Sequence, residues 1–443
     1  MRSDSAQYSA VNASVQLEPQ HVIEISFSAN NDDQVYFTDG DNVPLPAGAT
    51  VFAQGVVKSI ADTSQSLNVD KFNSTIGSFS FGLVDVDGVV STILRDKNGE
   101  GKSASQMRVR AYRGFAGMTF DKFSVIQTQV VQNIALDAVS YRVTCLDVQR
   151  TQKKTLFDVK VTTLASDFLA GDAVVDVVST AGFETVFHGS SYSDSPNMKV
   201  GYVEIEDDDL YEIIRWETKD GGFATLERGA LGTRARDFYA SVDGKSKNLE
   251  VRELVYLEMP AVKLSYALHT GNLFNDPGEG LPDHWHLGID PQYISTAHFI
   301  GIGQDLWDID NDSMGKMLRF VGVKSVQGKS FIEKQVHGPH GVFAVVLATG
   351  ELALKRISGV LSTSPYRIVL DKTNIQTAGK ITYQHDSIIN LIQVDWGWYH
   401  RTDTYKRTNA FIDTESVNLH QKAKPKKFQF KGFQGQQHSA ESI

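Results

Sequence analysis

The sequence predicts a mainly β fold with minor α content, divided into several small domains. Three observations predict it. Short runs of alternating apolar and polar residues recur at near-regular spacing, which marks half-buried strands of sandwiches or barrels. Glycine is abundant at 36 against 11 prolines, which suits many tight turns. A hairpin signature sits mid-chain, where Asp220-Gly221-Gly222 separates the run Leu210–Trp216 from its return Phe223–Arg228. Gly supplies the positive φ that such a turn needs. With 443 residues the chain is long enough for two to four domains.

In chain order, Met1–Gln20 is polar and reads as a flexible arm. It has neither a basic start nor an apolar stretch, so no secretory signal is expected. Strands are predicted at Val22–Phe27, Gln34–Thr38, Val51–Ile60, Ser78–Val84, Met107–Tyr112, Ser124–Thr128 and Ser140–Leu146. In the last of these Tyr141, Val143 and Cys145 share a face. Asp87 is placed to cap a short helix through Leu94, ended by Asn98-Gly99. Asp172–Val178 is a strand, and His188–Asn197 a Ser-rich loop.

After the central hairpin comes Arg228-Gly229-Ala230-Leu231-Gly232-Thr233, where two glycines three apart let the backbone fold sharply. Val262–Leu268 fits a strand or a short helix, and Asn275–Pro282 is loop chemistry. Lys316–Val326 reads as a strand and Ser330–His337 as helical. Val342–Ala348 and Glu351–Ile357 pair across Thr349-Gly350. Strands follow at Tyr366–Asp371, Lys380–Gln384, Ile388–Trp398 and Tyr405–Thr408, then a basic, strand-like tail to Phe433 and a disordered end, Gln434–Ile443.

The net charge of -10 argues against a general nucleic-acid binder, which needs a basic face, but leaves room for a non-adhesive acidic wall. The single cysteine, Cys145, can form no intrachain disulfide and no zinc site alone, which fits a reducing compartment. The longest apolar run, Val342–Ala348, is too short to span a bilayer.

Candidate chemistry is sparse. His284 and His286 flank Trp285 near Asp283 and Asp290; two histidines two apart on a strand would share a face, but spacing fixes no further ligand. Packing of these loop histidines on the tryptophan is the expectation. Asp308, Asp310 and Asp312 start like a calcium loop that fails at Ser313 and Arg319. His337-Gly338-Pro339-His340-Gly341 is a turn rather than a relay. Asp207, Asp208 and Asp209 read as a solvated hairpin tip rather than a general acid–base pair.

Gly301-Ile302-Gly303 lacks the third dinucleotide-loop glycine, since Leu306 stands there. The cluster Trp396, Trp398 and Tyr399, beside His400 and Arg401, could stack a sugar or a base, though core or interface packing is commoner. Lys422, Lys424, Lys426 and Lys427 form a basic run suited to an acidic neighbour or to solvent. No catalytic, cofactor-binding or metal-binding residues are assigned, and no enzyme activity or cofactor is expected.

Three segments in order resemble one family, the tail-tip baseplate hub proteins of long-tailed bacteriophages and gene transfer agents. The central "strand, acidic turn, strand, Gly turn, Arg-Gly-Ala-Leu-Gly-Thr" resembles a recurring module of that family, with Phe238-Tyr239 and Gly244 where His and Gly often follow. Ser78–Gly88 with Tyr141–Lys154 is similar to the family's first barrel, and the Asp413–Val417 region to its last, with Asn418-Leu419 in place of Tyr-Gly. The small α/β stretch around Phe331–Ile357 fits between them.

The resemblance implies an arm at 1–20, a first hub β-barrel at 21–165, an inserted β domain at 166–258, a linker and small α/β domain at 259–365, and a second hub β-barrel at 366–443. It implies a homotrimer whose two barrels per subunit match a six-fold tail tube to a three-fold tip. Its partners would be a distal tail protein, a tape-measure protein and central tip or fibre proteins, with DNA passing through without specific binding. It implies location in the virion tail after assembly in the host cytoplasm. The competing expectations are a receptor- or carbohydrate-binding tail protein, a cell-wall hydrolase, and a hexameric distal tail protein.

Overall fold

The computed structural model describes residues 18–27, 33–61, 67–68, 73–75, 77–85, 87–100, 107–187, 199–274, 276–306, 317–322, 324–356 and 388–433. The chain is mainly β and builds several sheets. Expectations for residues 1–17, for the Ser-rich loop, for Asp308, Asp310 and Asp312, for the strands Tyr366–Asp371 and Lys380–Gln384, and for 434–443 lie outside the described residues.

The first sheet has eight strands. Their order is Phe52–Ala53, Gln34–Thr38, Pro19–Ser26, Arg108–Phe115, Ser124–Asp137, Ser140–Leu146, Ser78–Val84 and Val57–Ile60. Pro19 and Gln20, expected in the arm, pair with Phe115 and Gly114 and so open the first strand. The two edge strands are separated in sequence by Gln54, Gly55 and Val56 alone. Four residue steps span at most about 14 Å, whereas the edges of a flat eight-stranded sheet lie about 33 Å apart. The sheet must therefore roll up.

This corrects the expected single strand Val51–Ile60, which breaks at Gly55. Gly55 takes φ +68, and a Cβ there would meet the Asp41 carboxylate at 2.5 Å. Inside the roll pack Ile23, Ile25, Phe37, Phe79, Phe81, Leu83 and Val143. Cys145 joins them, and burial pushes its thiol up to about 12.

Helix Val89–Gly99 covers one opening through Val90, Ile93 and Leu94. Its cap differs from expectation. Gly88 is the N-cap residue in a left-handed conformation, and Asp85 rather than Asp87 accepts the orphan amides of Val90 (2.8 Å) and Ser91 (3.1 Å).

The second sheet closes on itself. Its order is Val161–Thr163, Glu250–Glu253, Lys199–Asp207, Leu210–Lys219, Gly222–Glu227 and Val174–Asp176. The two ends of that order meet in a bridge between Leu164 and Val177. The amides of Ala165 and Val178 donate to Asp176 and Thr163 carbonyls at 2.9 and 3.0 Å. Closure pairs both ends of that order, and a seventh strand, Val186–Phe187, adds to Lys199–Asp207 off this path. Phe168, Val203, Ile205, Ile214, Trp216, Phe223 and Phe238 fill it. Trp216 lies flat against Gly201, where any Cβ would sit 2.3 Å from the ring.

A third, larger core joins the rest. Strand Tyr256–Pro260 pairs with Met317–Val321, and helices Ala261–Thr270 and Thr296–Leu306 pack beside the hairpin Val342–Val346/Leu352–Arg356. Val262–Leu268 is therefore helix. Asn275–Pro282, expected as loop, contributes strand Asp276–Gly280, paired with Asn272–Leu273. Gly301-Ile302-Gly303 lies inside a helix, not in a phosphate-cradling loop. Gly328–Phe331 is followed by a π-helical turn, Ile332–His337.

The carboxy-terminal sheet has the order Thr404–Ile412, Leu391–Tyr399, Pro425–Gln429. It sends Val394, Trp396, Phe430 and Phe433 into this same core. Between its strands Asp413 caps a helix, Thr414–His420, which takes up the start of the expected strand-like tail, and the tail itself supplies strand Pro425–Gln429.

One ion pair braces the small barrel. Glu212 is wholly buried, and Arg228 grips it in a fork, Nε to Oε1 at 2.6 Å and Nη2 to Oε2 at 2.8 Å. The amides of Gly229 and Arg236 donate to the same carboxylate, each at 2.9 Å. The remaining Arg228 donors reach the carbonyls of Leu169 and Arg236, and its plane stacks 3.8 Å from the Phe168 ring centroid. Removing one partner of such a buried pair costs about 3–5 kcal/mol. Glu212→Gln and Arg228→Ala should each lower the unfolding free energy by that order. Urea denaturation of full-length chain measures it, and an unchanged midpoint would refute the brace.

Candidate functional site

The small barrel, the strand Met317–Val321 and the carboxy-terminal sheet meet at one junction, which is flanked by surface grooves. Tyr202 and Tyr256 pack there with rings tilted by 39° and centroids 4.8 Å apart, beside Val200, Ile213, Ala230 and Leu254. The Arg-Gly-Ala-Leu-Gly-Thr loop forms part of this contact. Gly229, Leu231 and Gly232 all have positive φ, and Thr233 ties the loop down by accepting the Ile213 amide at 3.0 Å and donating to the Ala230 carbonyl.

From the other side comes the turn at the tip of the carboxy-terminal hairpin. The Tyr399 and Tyr211 hydroxyls are 2.6 Å apart, and burial first, then this contact, pushes the Tyr211 phenol up to about 12. His400 Nε2 lies 2.9 Å from Glu204, and Arg401 lies 2.7 Å from Glu206 while stacking 3.8 Å over Tyr211.

This turn is a ridge between two kinds of groove. On one side Glu204, Glu206, Asp207, Asp208 and Glu250 line an acidic groove of about 350 Å3. Its cations are largely engaged: Lys247 pairs with Asp207 and Arg252 with Glu250. On the other side a groove of about 410 Å3 is lined by Leu231 and Val321, by the buried Ile213, Trp396 and Trp398, and by Arg319, Lys406 and Arg407.

Most residues marked in the sequence have structural roles. Trp396 and Trp398 are 1% and 5% exposed, and cations cover their rings: Arg407 at 4.8 Å over Trp396 and Lys431 at 4.1 Å over Trp398. Their indole N–H groups donate to Asn409 and Asp403. The faces a sugar or base would stack on are thus taken, which favours packing over stacking. The acidic tip is a turn at Asp208 and Asp209, with Asp207 held by Lys247 at 2.7 Å. Lys427 pairs with the buried Asp395 at 2.8 Å.

His284 and His286 lie in a turn rather than on a strand. His284 contacts Glu253 at 3.2 Å, and His286 contacts Asp283 at 3.4 Å while its ring fills the space above Gly271. Trp285 is buried edge-on to Phe157. Among the described residues no three His, Cys, Asp or Glu side chains converge as a metal site.

Sequence reasoning missed a buried imidazole cluster. His269, from helix Ala261–Thr270, stacks on His337 with ring centroids 6.0 Å apart, and His340 lies one turn on. The motif around His337 had the signal of a turn, and only the tertiary fold brings His269 to it. Ser265 Oγ lies 2.7 Å from His337 Nε2, a hydroxyl–imidazole pair in name. Both residues are buried, at 0% and 2% exposed. Burial lowers His269 to about 4, lowers His337 well below the usual imidazole value, and lowers His340 to about 3.

No family model and no curated protein matches the chain. Among solved structures, a chain from the virion of a native gene transfer agent particle is similar over 56% of this chain and 83% of its own length, with 12% identity and a TM-score of 0.24. A superposition that loose does not define a common fold.

The buried imidazoles have a stability consequence. Their folded pKa values lie below the unfolded value, so the unfolded chain takes up more protons as pH falls below 6.5. Stability present above pH 6.5 should be lost toward pH 4, by about 3 kcal/mol from His269 alone, since each pKa unit is worth about 1.4 kcal/mol. Denaturation curves across this range should flatten in His269→Gln. A wild-type slope in that variant would exclude His269 as a source.

Proposed function

We propose that this chain is a non-enzymatic structural component of a phage-like tail: the baseplate hub, a ring of three copies that adapts a six-fold tube to a three-fold tip. The observation that carries the reading is the fate of the resemblance-bearing module. Its charged residues, Glu212 and Arg228, hold a loop against a closed barrel. The module behaves as scaffold, with its strongest ionic groups turned inward, and its glycine-rich loop lies at a contact between structural units.

The partners follow from the resemblance: a distal tail protein and a tape-measure protein along the axis, with tip or fibre proteins below. DNA would pass through the lumen. The net charge of -10 suits a wall that repels DNA and does not hold it. The carbohydrate-binding alternative loses support from the covered tryptophan faces.

Native mass spectrometry of the purified chain, with a projection image along the symmetry axis, should give three subunits. Six would indicate the distal tail class instead. A peptidoglycan zymogram should show no clearing; a cleared zone would replace the scaffold reading with a hydrolase.

A further inference from the structure

We propose that the aromatic groove at the junction receives the tip of the long hairpin Ser124–Asp137/Ser140–Leu146 from a second copy of this chain. The tip is unusually apolar. Leu136 and Val139 are 61% and 56% exposed, and Ala138, between them in the turn, takes φ 52. That conformation favours Gly or Asn, so an apolar residue holds it at a cost.

A third exposed aliphatic stands beside them. The Asp85 amide donates to the Val139 carbonyl at 2.7 Å while the Asp85 carboxylate caps the helix that begins at Val89, itself 43% exposed. One end of the rolled sheet therefore presents Leu136, Val139 and Val89 together. Its rim is acidic: Asp87 and Asp137 are exposed and, among the described residues, in no ion pair.

The groove complements it on both counts. Its apolar surface is that of the partly buried Leu231 and Val321, with the buried Ile213, Trp396 and Trp398 packed behind them. Its rim is basic. Arg319 is neutralised by Glu258, but Lys406 and Arg407 are exposed and contact the ring faces of Tyr399 and Trp396. Among the described residues neither enters an ion pair.

Apolar projections with carboxylates thus match an apolar trough with cations, a pairing that buries the exposed aliphatics and fixes register by charge. An anionic lipid surface would be repelled by the same carboxylates, which favours a protein partner. Tip and groove lie on different units of one chain, so the contact is head-to-tail and closes into a ring at a fixed rotation. This rests on the ring reading above and names the surfaces that would make it.

The test uses two full-length variants, Leu136→Asp at the tip and the double variant Lys406→Glu/Arg407→Glu at the groove. All three positions are exposed; circular dichroism spectra should match wild type, with a small drop in melting temperature for the groove variant, which loses the cations over Tyr399 and Trp396. Native mass spectrometry should show each variant alone as a monomer under conditions where wild type assembles. An equimolar mixture should give a 1:1 dimer that grows no further, because one intact tip meets one intact groove.

Variants that assemble like wild type, a mixture that stays monomeric, or a wild-type chain that never self-associates would overturn the proposal. A wild-type trimer untouched by the substitutions would keep the ring and reject this contact. A ring of another size that both variants dissolve would keep the contact and reject the hub.

Discussion

The junction depends on the clasp between Glu212 and Arg228. A carboxylate with no exposed surface needs its lone pairs met, and four donors from three residues meet them. Because two of those donors are backbone amides flanking the Gly229–Thr233 loop, the pair fixes a loop path as well as satisfying a charge. That path delivers Ala230 and Leu231 to the contact with Tyr202 and Tyr256. The groove wall that includes Leu231 and Thr233 is therefore set by an interaction inside the barrel.

The surface around the junction is sorted by charge. Arg401 and His400 are drawn to Glu204 and Glu206, which pins the hairpin turn on the barrel and leaves acidic and basic grooves on opposite sides of it. These pairs are largely buried, Glu206 apart, so their attraction is offset by the desolvation of the charges. Their value lies in orientation, since the stacked Arg401–Tyr211 and Tyr211–Tyr399 contacts share the same turn.

Local signals were legible in the sequence where one strand or turn decides the outcome. The alternation of Ser78–Val84 and the Asp220-Gly221 turn both specify what forms. Long-range pairings were not legible. Glu212 looks like any strand carboxylate until Arg228, sixteen residues on, is folded over it. Val51–Ile60 reads as one strand because its residues suit a strand; only the rolled sheet assigns its halves to opposite edges.

The imidazole cluster was hidden for a similar reason, as Ser265 and His337 are seventy-two residues apart. The aromatic set near Trp396 was visible as composition, but whether its faces were open depended on Arg407 arriving from the neighbouring strand and Lys431 from the turn after the last strand.

The small barrel enters and leaves through neighbouring strands, since Val161 lies opposite Arg252 and the Glu253 carboxylate holds the Lys160 amide at 3.0 Å. Partners across an antiparallel ladder sit only about 5 Å apart. The whole unit is thus a cassette mounted on a two-point socket, and a short tight connection could bridge the gap it would leave. The two ends of the unit reach the rest of the chain side by side, so the chain passes into and out of it with no long detour.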